Sequence, residues 1–247
     1  MQEITSKDNA VFKYAAKLKD KRFRADEGQY LAEGERLVLD LIAYGFSGDI
    51  AFILVEKPIY DRHSTEFAAV KTYIITEKLA GILADTENGQ GIFAAVKKPA
   101  PKPPSGKNAL LLDRIRDPGN LGTIIRSAAA FGFRDIATDN CADPFSPKTV
   151  RAAMGCIPKV NLFEADVGFM KSAGYSVVCA DMGGLPAETF SRPEKMCLVI
   201  GNEANGISDA IRSKADAIVS ISMEGVESLN ASVSAAILMY ELKKQEK

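Results

Sequence analysis

Three separated stretches hold the residues best able to do chemistry: Asp117-Pro118-Gly119-Asn120-Leu121-Gly122 with Arg126 four residues on, Gly201-Asn202-Glu203 with Gly206, and Ser228-Leu229-Asn230. An arginine is a permanent cation that clamps a phosphate or stabilises a developing oxyanion. A glutamate accepts hydrogen bonds or neutralises a cation, and asparagine and serine both donate and accept. Each stretch also has a plain local use. The first is a good strand-to-helix turn, with Pro118 fixing φ. A lone arginine is ordinarily a surface ion pair of little value. Gly201-Asn202-Glu203 could simply end a strand, and Ser228 or Asn230 could simply cap a helix. Together they say more, because each begins or follows an apolar run. If those runs are neighbouring strands of one parallel sheet, the polar residues gather at one rim, where open α/β sheets bind ligands.

The elements that must position them can be read from the same pattern. The stretch from Lys97 to Lys107 carries four prolines in six residues and reads as an extended, semi-rigid linker. It divides the chain into a domain over 1–98, a linker over 99–107 and a domain over 108–247. Before the linker, apolar segments at Ile50–Val55, Thr72–Ile75 and Ile92–Val96 alternate with helical patterns such as Glu33–Tyr44, predicting a small α/β domain. After it, β-rich runs recur at Ala109–Asp113, Asp135–Thr138, Ser176–Ala180, Cys197–Gly201 and Ala217–Met223, with helical segments between them. That alternation predicts a parallel sheet covered by helices. A helix is expected over Leu121–Phe131, capped by Asn120 and stopped by Gly132, with Arg126 on its second turn. Another is expected over Ser228–Lys243 with two apolar stripes, one through Leu229, Val233, Ile237 and Tyr240, the other through Ala231, Ala235, Leu238 and Leu242. A helix with two apolar faces needs two partners. Its own sheet is one, and a second subunit is the simplest other, although a further helix of the same domain could serve.

Composition narrows the classes. With 247 residues and 47% hydrophobic content, the chain can bury a substantial core. No apolar run reaches the ~20 residues needed to cross a bilayer, and the start Met1-Gln2-Glu3-Ile4-Thr5 lacks a secretory apolar region; a cytoplasmic protein is expected. Cys141, Cys156, Cys179 and Cys197 show no metal-type spacing, so buried reduced thiols are expected rather than a metal or disulfide framework. The net charge of −1 argues against whole-surface basicity but leaves room for a local patch. Residues 1–24 supply one, with seven basic residues against three acidic and a local charge of +4. By itself that is the solvated face of an amphipathic helix whose apolar stripe is Val11, Tyr14, Ala15 and Leu18. The turn at residues 117–122 has only Gly119 and Gly122 and so lacks the glycine fingerprint of a dinucleotide fold, which weighs against an oxidoreductase.

Residues 110–132, 198–208 and 221–242 resemble, in order, the three signature motifs of the SpoU/TrmH family of RNA 2′-O-ribose methyltransferases, part of the SPOUT class. Residues 5–55, particularly Tyr30-Leu31-Ala32-Glu33-Gly34-Glu35-Arg36, resemble the RNA-substrate-binding domain often fused in front of it. The resemblance implies a deep trefoil knot in the C-terminal domain, S-adenosylmethionine held bent in that knot, and a homodimer in which the last helix crosses the interface. It implies that Asn120 and Arg126 act in the first motif, Glu203 in the second, and Ser228 and Asn230 in the third. Gly201, Ile221 and Leu229 match backbone positions that cradle the cofactor, and Ile200 and Met223 are grouped with them. Where many relatives carry a serine, this chain has Ala153. No metal is required.

Beside such a domain, Lys13, Lys17, Arg22 and Arg24 become expected phosphate contacts, with Arg151 added to them. Ribosomal RNA is the first expectation for the substrate and tRNA the second. A non-catalytic RNA-binding protein that keeps the fold is the competing reading, and the intact set Asn120, Arg126, Glu203, Ser228 and Asn230 argues against it. His63, the only histidine, falls in the expected substrate domain and reads as a surface residue rather than a base.

Overall fold

The structure is a computed structural model, and it describes residues 2–85, 89–226 and 228–245. The chain forms two compact units, one made of Met1–Lys98 and Asp143–Pro158, the other of Pro99–Ala142 and Lys159–Lys247.

The first unit runs β1 (Gln2–Ile4), α1 (Ala10–Lys17), α2 (Lys21–Glu27), β2 (Gln29–Glu33), α3 (Glu35–Ala43), β3 (Ile50–Glu56), α4 (Lys57–Arg62), β4 (Thr72–Ile75), α5 (Glu77–Leu83) and β5 (Ile92–Lys97). Its strands form one mixed sheet in the order β1-β4-β3-β5-β2. Central β3 and β5 bring Ile53, Leu54, Val55 and Ile92 to Val96 fully out of water, each large aliphatic side chain contributing about 1.5–3 kcal/mol. Local signals set the helix ends. Asn9 caps α1 by accepting from Val11 and Phe12, and Gly28 closes α2 at φ 62°, a left-handed position that glycine takes at little cost. The expected helix over Glu33–Tyr44 is shorter, because Gln29–Glu33 pairs with β5 as an edge strand.

The second unit runs β6 (Asn108–Asp113), α6 (Pro118–Phe131) and β7 (Asp135–Asp139), and after an excursion that contains α7 (Pro147–Ala153) it continues with β8 (Asn161–Glu164), α8 (Val167–Ser172), β9 (Ser176–Pro186), β10 (Met196–Ile200), α9 (Asp209–Arg212), β11 (Ala217–Ser220) and α10 (Ala231–Lys244). All pairings are parallel, in the order β11-β9-β10-β6-β7-β8. The expected parallel sheet is therefore present. Every residue of β6 and β10 is buried, which is why both read as unbroken apolar runs rather than alternating ones. Edge strand β8 is partly exposed throughout and has no such run to reveal it.

The excursion differs from a division at the proline-rich stretch. Asp143–Pro158 packs within the first unit, where Asp143 pairs with Arg24 at 2.5 Å and the Phe145 ring lies 5.6 Å from that of Tyr30. The linker itself is tied to the second unit. The Ser105 and Gly106 amides donate to Asp135 at 3.0 and 2.8 Å, and Asn161 exchanges hydrogen bonds with the Lys102 backbone.

Candidate active site

The strand order of the second unit reverses between β6 and β10. From β6 the chain runs outward through β7 to β8, then returns to build β9, β10 and β11 on the other side. Loops after two such strands diverge and leave a crevice at the carboxyl rim. Leu112 pairs with Ile200, so the turn into α6 and the Gly201–Gly206 loop leave the sheet side by side.

That turn holds the first correction to the sequence reading. Helix α6 begins at Pro118, and its N-cap is Asp117, whose carboxylate accepts the Asn120 amide at 2.8 Å. Asn120 is thus inside the first turn and not the cap, and Arg126 falls on the third turn. Gly132 closes the helix in the left-handed conformation at φ 84°, as expected. The last helix is shifted the other way: α10 begins at Ala231 with Asn230 as its cap, which leaves Ser228 and Leu229 in the preceding loop.

Freed from capping, the Asn120 side chain donates to Glu203 Oε1 at 2.7 Å and accepts from Asn230 Nδ2 at 3.0 Å. One residue from each of the three motifs is therefore in a single hydrogen-bonded chain. Asn202, which the sequence reading passed over, adds a donor to Glu203 Oε2 at 3.3 Å and another to the Arg114 carbonyl at 2.8 Å. Arg114 has φ 56°, a conformation uncommon for residues other than glycine, and its guanidinium rests on buried Asp113. Asp113 also accepts the Ser208 amide at 2.7 Å, so both ends of the Gly201–Ser208 loop are tied to the end of β6. Gly201 is required by this doubling back: a Cβ there would lie 2.4 Å from the Gly206 backbone carbon.

A cleft of about 370 Å³ opens beside the chain. Gly201, Ile221, Leu229, Ile200 and Met223 all line it, together with Glu203 and Ser228. The lining joins aliphatic surface to backbone and a few polar groups, a setting that suits a small ligand with an apolar planar part and a polar tail. Asp181 and Met182 also line it. They sit where strand β9 shifts register opposite Ile218 and Val219, an irregularity that a strand-like stretch does not announce.

Arg126 is exposed and, among the described residues, makes no hydrogen bond or ion pair. With Thr123 and Ala130 it forms the outer stripe of α6. It lies six positions beyond Asn120 in the helix, about 9 Å along the axis and a third of a turn around it, so the Asn120–Glu203 pair does not orient it. Arg116, also exposed and without such partners among the described residues, stands at the start of the same turn.

The cations expected to meet RNA divide sharply. Arg24 is buried at 3% exposure and donates to the Leu18 and Lys19 carbonyls and to Asp143, so it is a structural residue of the first unit. Arg151 is likewise engaged, by Glu33 at 3.3 Å and Asp85 at 2.8 Å. The ion-pair partners in both cases, Asp143 for Arg24 and Glu33 and Asp85 for Arg151, lie far off in sequence, and composition cannot show them. Lys13 pairs with Asp8 at 2.8 Å while both stay largely exposed, and Lys17 lies 5.6 Å from the Phe23 ring centre. Arg22 is 91% exposed, with only a loose contact to Asp26.

Cys179 and Cys197 are buried, and Cys141 and Cys156 partly so. Burial pushes the Cys141 and Cys179 thiols up to about 11, so they are not reactive thiolates near neutrality. Among the described residues no group of three or more His, Cys, Asp or Glu side chains could hold a metal ion, and no helix is long and apolar enough to cross a membrane.

Comparison with known proteins gives the geometry a context. The profile of the SpoU rRNA Methylase family matches residues 107–240, and that of the MRM3-like substrate binding domain matches residues 9–94. The chain is 34% identical, over 98% of its length and the whole of the relative, to the 23S rRNA (guanosine(2553)-2′-O)-methyltransferase RlmP of Bacillus subtilis. Its fold is similar to the AdoMet-bound rRNA methyltransferase of Sinorhizobium meliloti, with a TM-score of 0.83 at 29% identity over 98% of this chain and 97% of that one. It is also similar to the SpoU methyltransferase AviRb of Streptomyces viridochromogenes in complex with AdoMet, with a TM-score of 0.80 at 28% identity over 96% and 98% of the two chains.

Proposed function

The chain belongs to the SpoU family of rRNA methylases, and from that premise we propose that the rim carrying Asn120, Glu203, Ser228 and Asn230 is its active site. The protein is an S-adenosylmethionine-dependent RNA 2′-O-ribose methyltransferase, and ribosomal RNA is its substrate class. One observation carries the site assignment: residues from three distant motifs form one hydrogen-bonded chain, and its Glu203 end lines a cleft shared with Gly201, Ile221 and Leu229.

When bound, S-adenosylmethionine supplies an electrophilic methyl on a sulfonium. The chain's own task is to align a ribose 2′-oxygen with that methyl and to ease removal of a weakly acidic proton. Alignment can contribute several of the roughly 7–11 kcal/mol available from orientation. Glu203, gripped by Asn120 and Asn202, is fixed in place to accept from the ribose, while Ser228 and the loop around Leu229 shape the cleft. Arg126 is ill suited to be the base, since guanidinium stays protonated above pH ~12. It clamps the target phosphate and steadies the developing alkoxide, and the proton leaves to water or a phosphate oxygen.

A homodimer is part of this proposal. Ala231, Ala235, Leu238 and Leu242 of α10 are buried, whereas Val233 is 46% and Tyr240 50% exposed. The exposed side adjoins α6 through the Phe131–Tyr240 ring contact at 5.7 Å. A trefoil knot is also proposed, supported by the return of the chain after edge strand β11 to α10, which packs on α6, the helix that follows central strand β6. Such threading is exceptional among folds. A cytoplasmic location belongs to the same proposal.

Mapping ribose methylation across total RNA with and without the gene tests the function and names the nucleotide. The expected result is one ribosomal 2′-O-methyl mark that disappears with the gene. An unchanged ribosomal map, or loss of a tRNA mark instead, would overturn it.

A further inference from the structure

We propose that the N-cap of α10 sets the direction of a hydrogen-bond chain, Asn230 to Asn120 to Glu203, which presents the Glu203 carboxylate to the cleft held by a donor on each oxygen.

The direction follows from what a helix start demands. The first amides of a helix need an acceptor, and Asn230 Oδ1 accepts from the Ser232 amide at 2.9 Å and the Val233 amide at 3.4 Å. The Ser232 hydroxyl, in a buried residue, donates to the same oxygen at 2.6 Å. The Asn230 amide therefore cannot turn over, and only its Nδ2 is left to face Asn120 Oδ1. With its oxygen so engaged, Asn120 has only Nδ2 to offer Glu203 Oε1. Turning the Asn120 amide over would set its oxygen against a carboxylate and its nitrogen against the Asn230 nitrogen, losing two hydrogen bonds at once.

The second carboxylate oxygen is treated alike. Asn202 Oδ1 accepts from the Ala204 and Asn205 amides at 3.0 and 3.3 Å, which turns its Nδ2 towards the Arg114 carbonyl and Glu203 Oε2. Both amides that grip Glu203 are thus orientated by backbone N–H groups, one set at the start of α10 and the other in the Gly201–Gly206 loop. Asn230 does not touch Glu203, yet it positions it. The functional meaning of this chain rests on the active-site reading above, whereas its existence does not.

Asn230→Asp is the informative substitution. Aspartate caps as well as asparagine, and its charge suits a helix N-terminus, so a simple cap predicts an unchanged or higher melting temperature. A directed chain predicts a fall of about 2–4 °C for the ligand-free protein, on the scale of one hydrogen bond, because an oxygen now faces Asn120 Oδ1. That fall should vanish when Asn120 is Ala, or Ser if the alanine variant does not fold. An unchanged or raised melting temperature overturns the proposal. So does an equal fall in both backgrounds, which means direct repulsion of Glu203 by the new charge. Single-turnover transfer to the mapped RNA, with S-adenosylmethionine and RNA saturating, gives the functional readout. Asn230→Asp should be slower than Asn230→Ser, which keeps the cap without reversing Asn120, by about tenfold, one step of roughly 1.4 kcal/mol. Calorimetric affinity for S-adenosylmethionine should be nearly equal in the two. Coupling through Asn120 with equal transfer rates would uphold the chain and remove Glu203 from the chemistry.

Discussion

The Asp117 carboxylate accepts the backbone N–H of Asn120 at 2.8 Å, and for that reason the Asn120 side chain can donate to Glu203 at 2.7 Å instead of capping its own helix. The cap and the site residue are three positions apart with separate duties. Asp117→Ala should cost about 1 kcal/mol in urea unfolding, the usual loss for an N-cap, and should also slow methyl transfer. Asp117→Ser, which restores an acceptor, should recover most of the stability. An alanine variant with wild-type stability would show that the cap is worth nothing here.

Arg126, exposed and without hydrogen-bond or ion-pair partners among the described residues, should have the largest single effect on turnover. Arg126→Ala is expected to lower single-turnover transfer at least about a hundredfold, comparable to losing an oxyanion donor at roughly 2.7–4 kcal/mol. Cofactor affinity and melting temperature should barely move, since the side chain supports no other group. Arg126→Lys should rescue little, because a point charge does not replace a bidentate fork.

Val233 and Tyr240 are half exposed on the outer side of α10. If they are covered by a second copy, sedimentation at micromolar concentration should give twice the 26.6 kDa chain mass, and Val233→Glu with Tyr240→Glu should give a monomer. A wild-type protein that stays monomeric across that range would leave the outer face of α10 to water.

Arg22 and Arg24, two residues apart, should behave oppositely. Arg22→Ala should weaken RNA binding and lower the salt slope by about 0.7, one single-strand phosphate contact, with no change in stability. Arg24→Ala should instead destabilise the first unit by about 3–5 kcal/mol, because it leaves Asp143 without its buried cation. Equal salt slopes for Arg22→Ala and wild type would return that arginine to ordinary surface.

His63 bonds Glu35 at 2.9 Å and Glu66 at 3.2 Å. The Glu35 hydrogen bond, with help from Glu66, raises its pKa above the ordinary 6.5. A raised folded-state value stabilises the charged form, so the contribution is complete below pH 6.5 and is lost as pH rises through the higher folded value. Chemical unfolding of wild type and His63→Gln should therefore show a stability difference at pH 6 that narrows by pH 8. A difference independent of pH would mean that packing against Phe67, not charge, is what His63 supplies.

Much of the second unit can be read directly from its residues. The buried strands β6 and β10 are unbroken apolar runs because both faces are covered, and Gly132 marks a helix end because a left-handed residue is needed there. The same logic hides β8, an edge strand that is partly exposed throughout and so carries no comparable pattern. The three polar stretches are visible for a related reason: each must follow a core strand or start a helix, and both neighbours have strong periodicity.

What the chain does between those stretches is decided only by tertiary structure. Asn120 and Asn230 look alike as helix caps, and local sequence favours that use for both. The fold makes Asn230 a cap and Asn120 a bridge, because Asp117 accepts the Asn120 amide of α6 and Glu203 arrives on the loop after β10, 83 residues away. Arg22 and Arg24 are likewise indistinguishable by composition, yet one is in water and the other is bound to Asp143, 119 residues further along the chain. Residue types and periodicity are local properties, so they fix strands, caps and turns. A hydrogen-bond partner brought in by sheet order is not local, and it is what separates a site residue from a structural one.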